Sequence, residues 1–270
     1  MLTVKHLHIK VPDKNLIKNL TFKLRAGECW ALLGPNGCGK TSLLKTLAHL
    51  RPPEGGEVLF NDQLLSTLKR PLIARNLSLL LQDSSLDFWG TVFEYVVLGR
   101  YPHHQVATSR NTDQERTMTV LSQLGLDHRC NQLFRTLSGG ERQRARIAQL
   151  LVQDPLCYLL DEPLQHLDLR HQLQIMSLFS ELAHQHGKIV LIALHEPQLA
   201  FKYCDHALLL YDDGIVKQGS VNNLLTISNL ELLYQCDLSP FLDAAKFLFS
   251  GNQKQRRSDV SMPSESMSLS

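Results

Sequence analysis

Eight residues constrain this chain more than any others: Gly34-Pro35-Asn36-Gly37-Cys38-Gly39-Lys40-Thr41, which fits G-x-x-x-x-G-K-[ST]. An apolar run, Cys29 to Leu33, precedes them, and Leu43, Leu44, Leu47 and Leu50 then fall on one face of a helix. Strand, glycine-rich loop and helix in that order make a phosphate cradle. The glycines let successive backbone N–H groups turn toward phosphate oxygens, and the helix starting near Lys40 adds the positive end of its dipole. Lys40 reaches terminal phosphates, and the Thr41 hydroxyl can ligate Mg²⁺. Cys38, beside a lysine and a helix N-terminus, is expected to have a lowered pKa and a reactive thiol, whose alkylation would block nucleotide binding.

A second apolar run, Cys157-Tyr158-Leu159-Leu160, ends in Asp161-Glu162. Neighbouring carboxylates at a strand's end can do different work: Asp161 would hold Mg²⁺, directly or through water, and Glu162 would polarise an attacking water. Alone, such a pair is more often two solvated surface acids. A phosphate loop on a nearby strand favours the chemical reading.

Leu137-Ser138-Gly139-Gly140-Glu141 precedes a helix with Ile147, Ala148, Leu150 and Leu151 on one face. Ser138-x-x-Glu141 is a capping box, which is sufficient structural reason for both residues. The two glycines also bare backbone N–H groups where an anion could dock, so the motif is a second candidate phosphate site.

The remaining sequence sets bounds. In 270 residues, 43% hydrophobic and 20% charged, there is room for a real core, and disordered or fibrous classes are excluded. Lys and Arg (28) exceed Asp and Glu (26) by only 2, which gives no footing for nucleic acid as a partner. The longest apolar run, Ile189 to Leu194, is far below the roughly 18 residues of a membrane span, and Met1 to Lys10 does not read as a secretory leader. Six cysteines form no C-x-x-C pair, which suits a reducing compartment, and twelve histidines lack zinc-site spacing.

Strands are predicted up to about residue 30 (Leu2 to Ile9, then Leu20 to Leu24), at Val58 to Phe60 and at Leu77 to Leu81. A mostly helical stretch spans about 88–155, with helices at Val92 to Leu98, around Met118, Leu121 and Leu124, and at Arg142 to Gln153. Strand Cys157 to Leu160, helix Gln172 to His184, strand Ile189 to Leu194, helix Pro197 to Tyr203 and strand Ala207 to Leu210 follow. This alternation predicts an α/β fold with a parallel sheet covered by helices and interrupted by a helical insertion. Gly251 to Ser270 is Ser-rich without apolar period and reads as a disordered tail.

Taken together, Gly34 to Thr41, Leu137 to Glu141, Tyr158 to Glu162, Gln82 after a strand, His166-Leu167-Asp168 and His195 resemble the ordered motif set of the ATP-binding cassette (ABC) ATPases, over about residues 1–250. The resemblance implies a P-loop NTPase core with an N-terminal antiparallel β subdomain and an inserted α-helical subdomain at about 88–155. It implies a homodimer that sandwiches two ATP molecules, each between one copy's Gly34-to-Ser42 segment and the other's Ser138, Gly139, Gly140 and Glu141. Glu162 would be the general base, His195 would contact the γ-phosphate, Gln82 would touch Mg²⁺ or water, and Asp168 would lie at the dimer interface. Mg²⁺ would be held by Thr41, Gln82 and Asp161.

The resemblance extends to partners. Leu98-Gly99-Arg100-Tyr101-Pro102-His103 and the 166–172 segment are similar to subunits of importers for iron-siderophores, haem and vitamin B12 (cobalamin). This implies two integral-membrane permease subunits, indirectly a substrate-binding protein, and a peripheral place at the cytoplasmic face of a bacterial-type inner membrane. An exporter subunit, an importer subunit for another cargo and a soluble non-transport ATPase are the rival readings. Val11 stands where the family usually carries an adenine-stacking aromatic, so weak discrimination between ATP and GTP is expected. Leu164 and Glu196 replace a more usual Thr and Asp without removing an atom that this mechanism needs.

Overall fold

β1 (Leu2–Val11) and β2 (Lys14–Leu24) alternate buried and exposed residues over much of their length, as a sheet covered on one face requires. β3 (Cys29–Leu33) is buried at every residue, the mark of a central strand covered on both faces. The phosphate loop follows it and runs into α1 (Lys40–Leu47), after which come β4 (Gly55–Phe60), β5 (Gln63–Leu64), α2 (Arg70–Asn76) and β6 (Leu77–Leu80). The helical stretch comprises α3 (Val92–Val97), a 3₁₀ turn at Leu98–His103, α4 (Arg110–Gln123) and α5 (Gly139–Gln153). β7 (Cys157–Asp161), α6 (Leu169–His184), β8 (Ile189–Ala193), α7 (Pro197–Tyr203), β9 (His206–Leu210), β10 (Val216–Ser220), α8 (Val221–Leu224) and α9 (Ile227–Tyr234) complete the order.

This computed structural model describes residues 1–12, 14–82, 88–103, 110–238 and 240. The chain divides into two units, Met1–Thr226 and Ile227–Ser270. In the second, α9 is followed by a turn in which the Leu238 backbone N–H donates to Glu231 Oε1 at 3.1 Å. The tail 251–270 lies outside the described residues.

The first unit holds two sheets. One is antiparallel, in the order β2-β1-β4-β5, and the other runs β10-β9-β3-β8-β7-β6. In the second sheet β3, β6, β7, β8 and β9 are mutually parallel and only β10 is antiparallel. α1 packs on β7, α5 on β6, and α6 on β3 and β8. The expected architecture is therefore present: an N-terminal antiparallel sheet, a parallel α/β core, and helices α3 to α5 inserted between adjacent strands β6 and β7.

The sequence reading lacked β5, α2, β10, α8 and α9 and placed the start of β2 too late. β2 begins at Lys14 rather than near Leu20, β10 pairs with β9, and α2 precedes β6 with Pro71 in its first turn, where a missing N–H costs nothing. Among the described residues, no helix is long and apolar enough to cross a membrane.

Candidate functional site

Parallel pairing brings four loops to one edge of the core sheet. β3 ends at Leu33 and enters the phosphate loop, β6 ends two residues before Gln82, β7 ends on Asp161, and β8 ends two residues before His195. The register pairs Leu80 with Leu160, Asp161 with Ala193 and Leu32 with Ala193, so these ends lie level. In open α/β sheets, ligands bind beyond the carboxyl ends of the strands. Here a cleft of about 450 Å³ is lined by Asn36, Gly37, Gly39, Lys40, Thr41, Ser42, Gln82, Glu162, Gln165 and His195, with Val11 and Leu16 at its apolar side.

The phosphate loop is shaped by its own lysine. Lys40 is buried, and its Nζ donates to the Gly34 carbonyl at 2.8 Å and the Pro35 carbonyl at 3.1 Å. Gly39, at φ +114°, turns the chain into α1, a conformation that side-chain-bearing residues avoid. Among the described residues no side chain caps α1, so its first-turn N–H groups are open to an anion.

Cys38 departs from the sequence expectation. Its thiol is 1% exposed and points beneath the loop, where a Cβ placed on Gly34 would lie 2.7 Å from Sγ. Burial pushes the thiol pKa up, and the opposing Lys40 charge and backbone N–H do not outweigh it. The thiol is therefore a packed core group, not an activated nucleophile.

Asp161 and Thr41 meet across the cleft floor, with Thr41 Oγ1 donating to Asp161 Oδ2 at 2.6 Å. The other carboxylate oxygen, Oδ1, is buried and has no hydrogen-bond partner among the described residues. Burial raises the Asp161 pKa, the Glu162 charge adds to the rise, and the Thr41 hydroxyl and Lys40 charge oppose it. An orphaned carboxylate oxygen next to a hydroxyl, in a site that disfavours a bare negative charge, fits a hard divalent cation such as Mg²⁺.

Glu162 is the hub. It is buried, sits at φ +50°, and its carboxylate takes three partners. His195 Nε2 lies 2.6 Å from Oε1, while Gln82 Nε2 at 2.8 Å and Gln165 Nε2 at 2.7 Å both donate to Oε2. His195 is 41% exposed against 6% for Glu162, so the pair has a wet side and a dry side. Gln165 was missed in the sequence: nothing in its spacing announces that its amide folds back three residues onto Glu162.

Ser138, Gly139, Gly140, Glu141 and Asp168 do not line this cleft. Ser138 caps α5 in a complete capping box: the Glu141 N–H donates to Ser138 Oγ at 3.3 Å, and the Ser138 N–H to Glu141 Oε2 at 3.0 Å. The Ser138 backbone bond holds the Glu141 carboxyl below the usual carboxylate range, helped by the Ser138 hydroxyl and Arg129. Ser138 and Gly139 are exposed, and α5 is tied back toward the acidic loop by Gln143 Nε2, which donates to the Pro163 carbonyl at 2.9 Å. Asp168 is exposed and caps α6, accepting from the His171 N–H at 2.9 Å.

Comparison with known proteins agrees with this geometry. The family described as ABC transporter matches residues 17–165. The hemin import ATP-binding protein HmuV of Shewanella denitrificans is 40% identical over 243 residues, covering 88% of this chain and 94% of its own. The ferric enterobactin transport ATP-binding protein FepC of Escherichia coli is 37% identical over 218 residues, 80% of each chain. Among solved structures, an inward-facing ABC transporter of metal-chelate type superposes with a TM-score of 0.75 at 30% identity, over 87% of this chain and 89% of that one. The dimeric ATP-binding cassette MJ0796 bound to ADP and Pi superposes with a TM-score of 0.74 at 26% identity, over 82% and 99%. By family profile, by sequence along most of its length and by fold, the chain belongs to the ABC transporter family.

Proposed function

We propose that this chain is the ATP-hydrolysing subunit of a membrane importer that takes up a metal chelate of the haem or iron-siderophore class. The observation that carries the ATPase part is the three-way hold on Glu162 at the mouth of a phosphate loop. The cargo class is supported by the hemin and ferric enterobactin import relatives and by the metal-chelate-type structural neighbour.

In this reading the nucleotide-binding domain spans about 1–250, with the helical subdomain at about 88–155. Gly34, Pro35, Asn36, Gly37, Cys38, Gly39, Lys40, Thr41 and Ser42 bind the triphosphate: backbone N–H groups and Lys40 neutralise it, and Cys38 contributes only backbone and packing. Mg²⁺, when bound by Thr41, Asp161 and Gln82, supplies charge neutralisation on the phosphates. Glu162 accepts a proton from the attacking water, and His195 orients that water and the terminal phosphate.

Ser138, Gly139, Gly140 and Glu141 present the α5 N-terminus to ATP held by a second copy, with Asp168 at the same interface. That these residues stay out of their own chain's cleft supports a head-to-tail homodimer, as does the dimeric cassette MJ0796. Two integral-membrane permease subunits and a substrate-binding protein complete the assembly, with this chain peripheral at the cytoplasmic face of the inner membrane.

The test is ATP turnover of the chain assembled with its membrane partner in vesicles. Several-fold stimulation by a binding protein loaded with haem or ferric siderophore is expected. Turnover indifferent to any loaded binding protein favours an exporter.

A further inference from the structure

Glu162 cannot hold one carboxylate orientation unaided. Its backbone lies in the left-handed region at φ +50°, and its side chain has three rotatable bonds whose freedom must be removed before a proton can be taken from a fixed direction. A carboxylate has about four acceptor positions, two on each oxygen. Three are filled here: one on Oε1 by His195, and both on Oε2 by Gln82 and Gln165.

The two amides are not equivalent. Gln82 is exposed and comes from the end of another strand, 80 residues away. Gln165 is half-buried and belongs to the same turn as Glu162, which its own backbone N–H closes by donating to the Glu162 carbonyl at 3.4 Å. The Gln165 bond at 2.7 Å is therefore local to the turn that carries Glu162, whereas the Gln82 bond spans two strand ends. The fourth acceptor position, on Oε1, is left unfilled by the described residues, and Oε2 is anchored from within the turn by Gln165.

From this juxtaposition we infer that Gln165 is a positioning residue for Glu162: its side-chain amide fixes the carboxylate while the remaining acceptor position on Oε1 receives the water proton. The inference rests on Glu162 being the general base.

The test is a double-mutant cycle on the full chain, read as kcat and ATP affinity separately. Gln165→Leu, which keeps the bulk and removes the donor, is expected to lower kcat about tenfold with the ATP dissociation constant within about twofold of wild type. Gln165→Glu, closer in shape but with an acceptor facing Oε2, is expected to be slower still, and it serves as the test variant should Gln165→Leu fail to fold. In a Glu162→Gln background, single-turnover rates should be the same with and without Gln165→Leu. Wild-type kcat in Gln165→Leu, a Gln165→Glu variant faster than Gln165→Leu, or an undiminished tenfold loss in the Glu162→Gln background would each overturn the positioning role alone. A wild-type rate for Glu162→Gln itself would overturn both this role and the base assignment.

Discussion

His195 Nε2 stands 2.6 Å from Glu162 Oε1, linking the loop after β8 to the end of β7. The contact follows from strand register: Asp161 is paired with Ala193, so the residues just past each strand end face one another. His195 thus has one nitrogen committed to the proposed base and a side chain open to the cleft. His195→Ala is expected to lower kcat about 10²-fold, since it removes a group aimed at developing charge, with ATP affinity changed only a few-fold. Rapid-quench turnover beside equilibrium nucleotide binding separates the two effects.

The buried, pKa-raised Cys38 thiol should resist alkylation. Cys236 is exposed and serves as the internal reference. Site-resolved mass spectrometry after limited maleimide treatment at pH 7 should find Cys236 modified at least about tenfold faster than Cys38. Equal rates would restore the reactive-loop reading.

Among the described residues, Val11 and Leu16 form the apolar lining of the cleft, and neither has a ring or a polar atom on its side chain. If this apolar side receives the base, weak reading of base identity is expected, and kcat/KM for ATP and GTP should agree within a few-fold. Val11→Tyr adds a stacking face worth about 0.5–1.5 kcal/mol, so purine nucleotide affinity should rise about two- to tenfold. Competition with a fluorescent nucleotide measures it, and an unchanged affinity would remove Val11 from the base site.

Glu141 supplies a pH dependence. Its pKa is lowered, first by the Ser138 backbone N–H, so the folded state binds a proton there less readily than the unfolded chain, whose value is near 4.5. Its contribution is complete above that value and disappears as pH falls through the lower folded-state pKa. The stability gap between wild type and Glu141→Gln should be full near neutrality and shrink below about pH 4.5. Urea unfolding across pH 3–7 tests this, and a constant gap would contradict it. Ser138→Ala should separately cost about 1 kcal/mol as a lost cap.

What the sequence revealed were runs with one dominant cause. Cys29–Leu33, Cys157 to Leu160 and Ile189–Ala193 are apolar because both sheet faces are covered, and that composition is visible without neighbours. Val216–Ser220 was not visible: Lys217, Gln218, Gly219 and Ser220 have little strand preference, and the strand is held by its ladder to β9. The site divides similarly. Lys40, Thr41, Asp161 and Glu162 follow from motif spacing. The direction of the Cys38 thiol and the reach of Gln165 depend on rotamers and on what lies beneath the loop, which spacing does not encode.

In the proposed function, Glu162 activates water for ATP cleavage between two copies of this chain. Glu162→Gln tests it most directly, measured as ATP turnover together with molar mass under saturating MgATP. Retained binding, turnover reduced about 10²-fold or more, and accumulation of a nucleotide-loaded dimer are expected. Turnover near that of wild type, with no dimer, would contradict it.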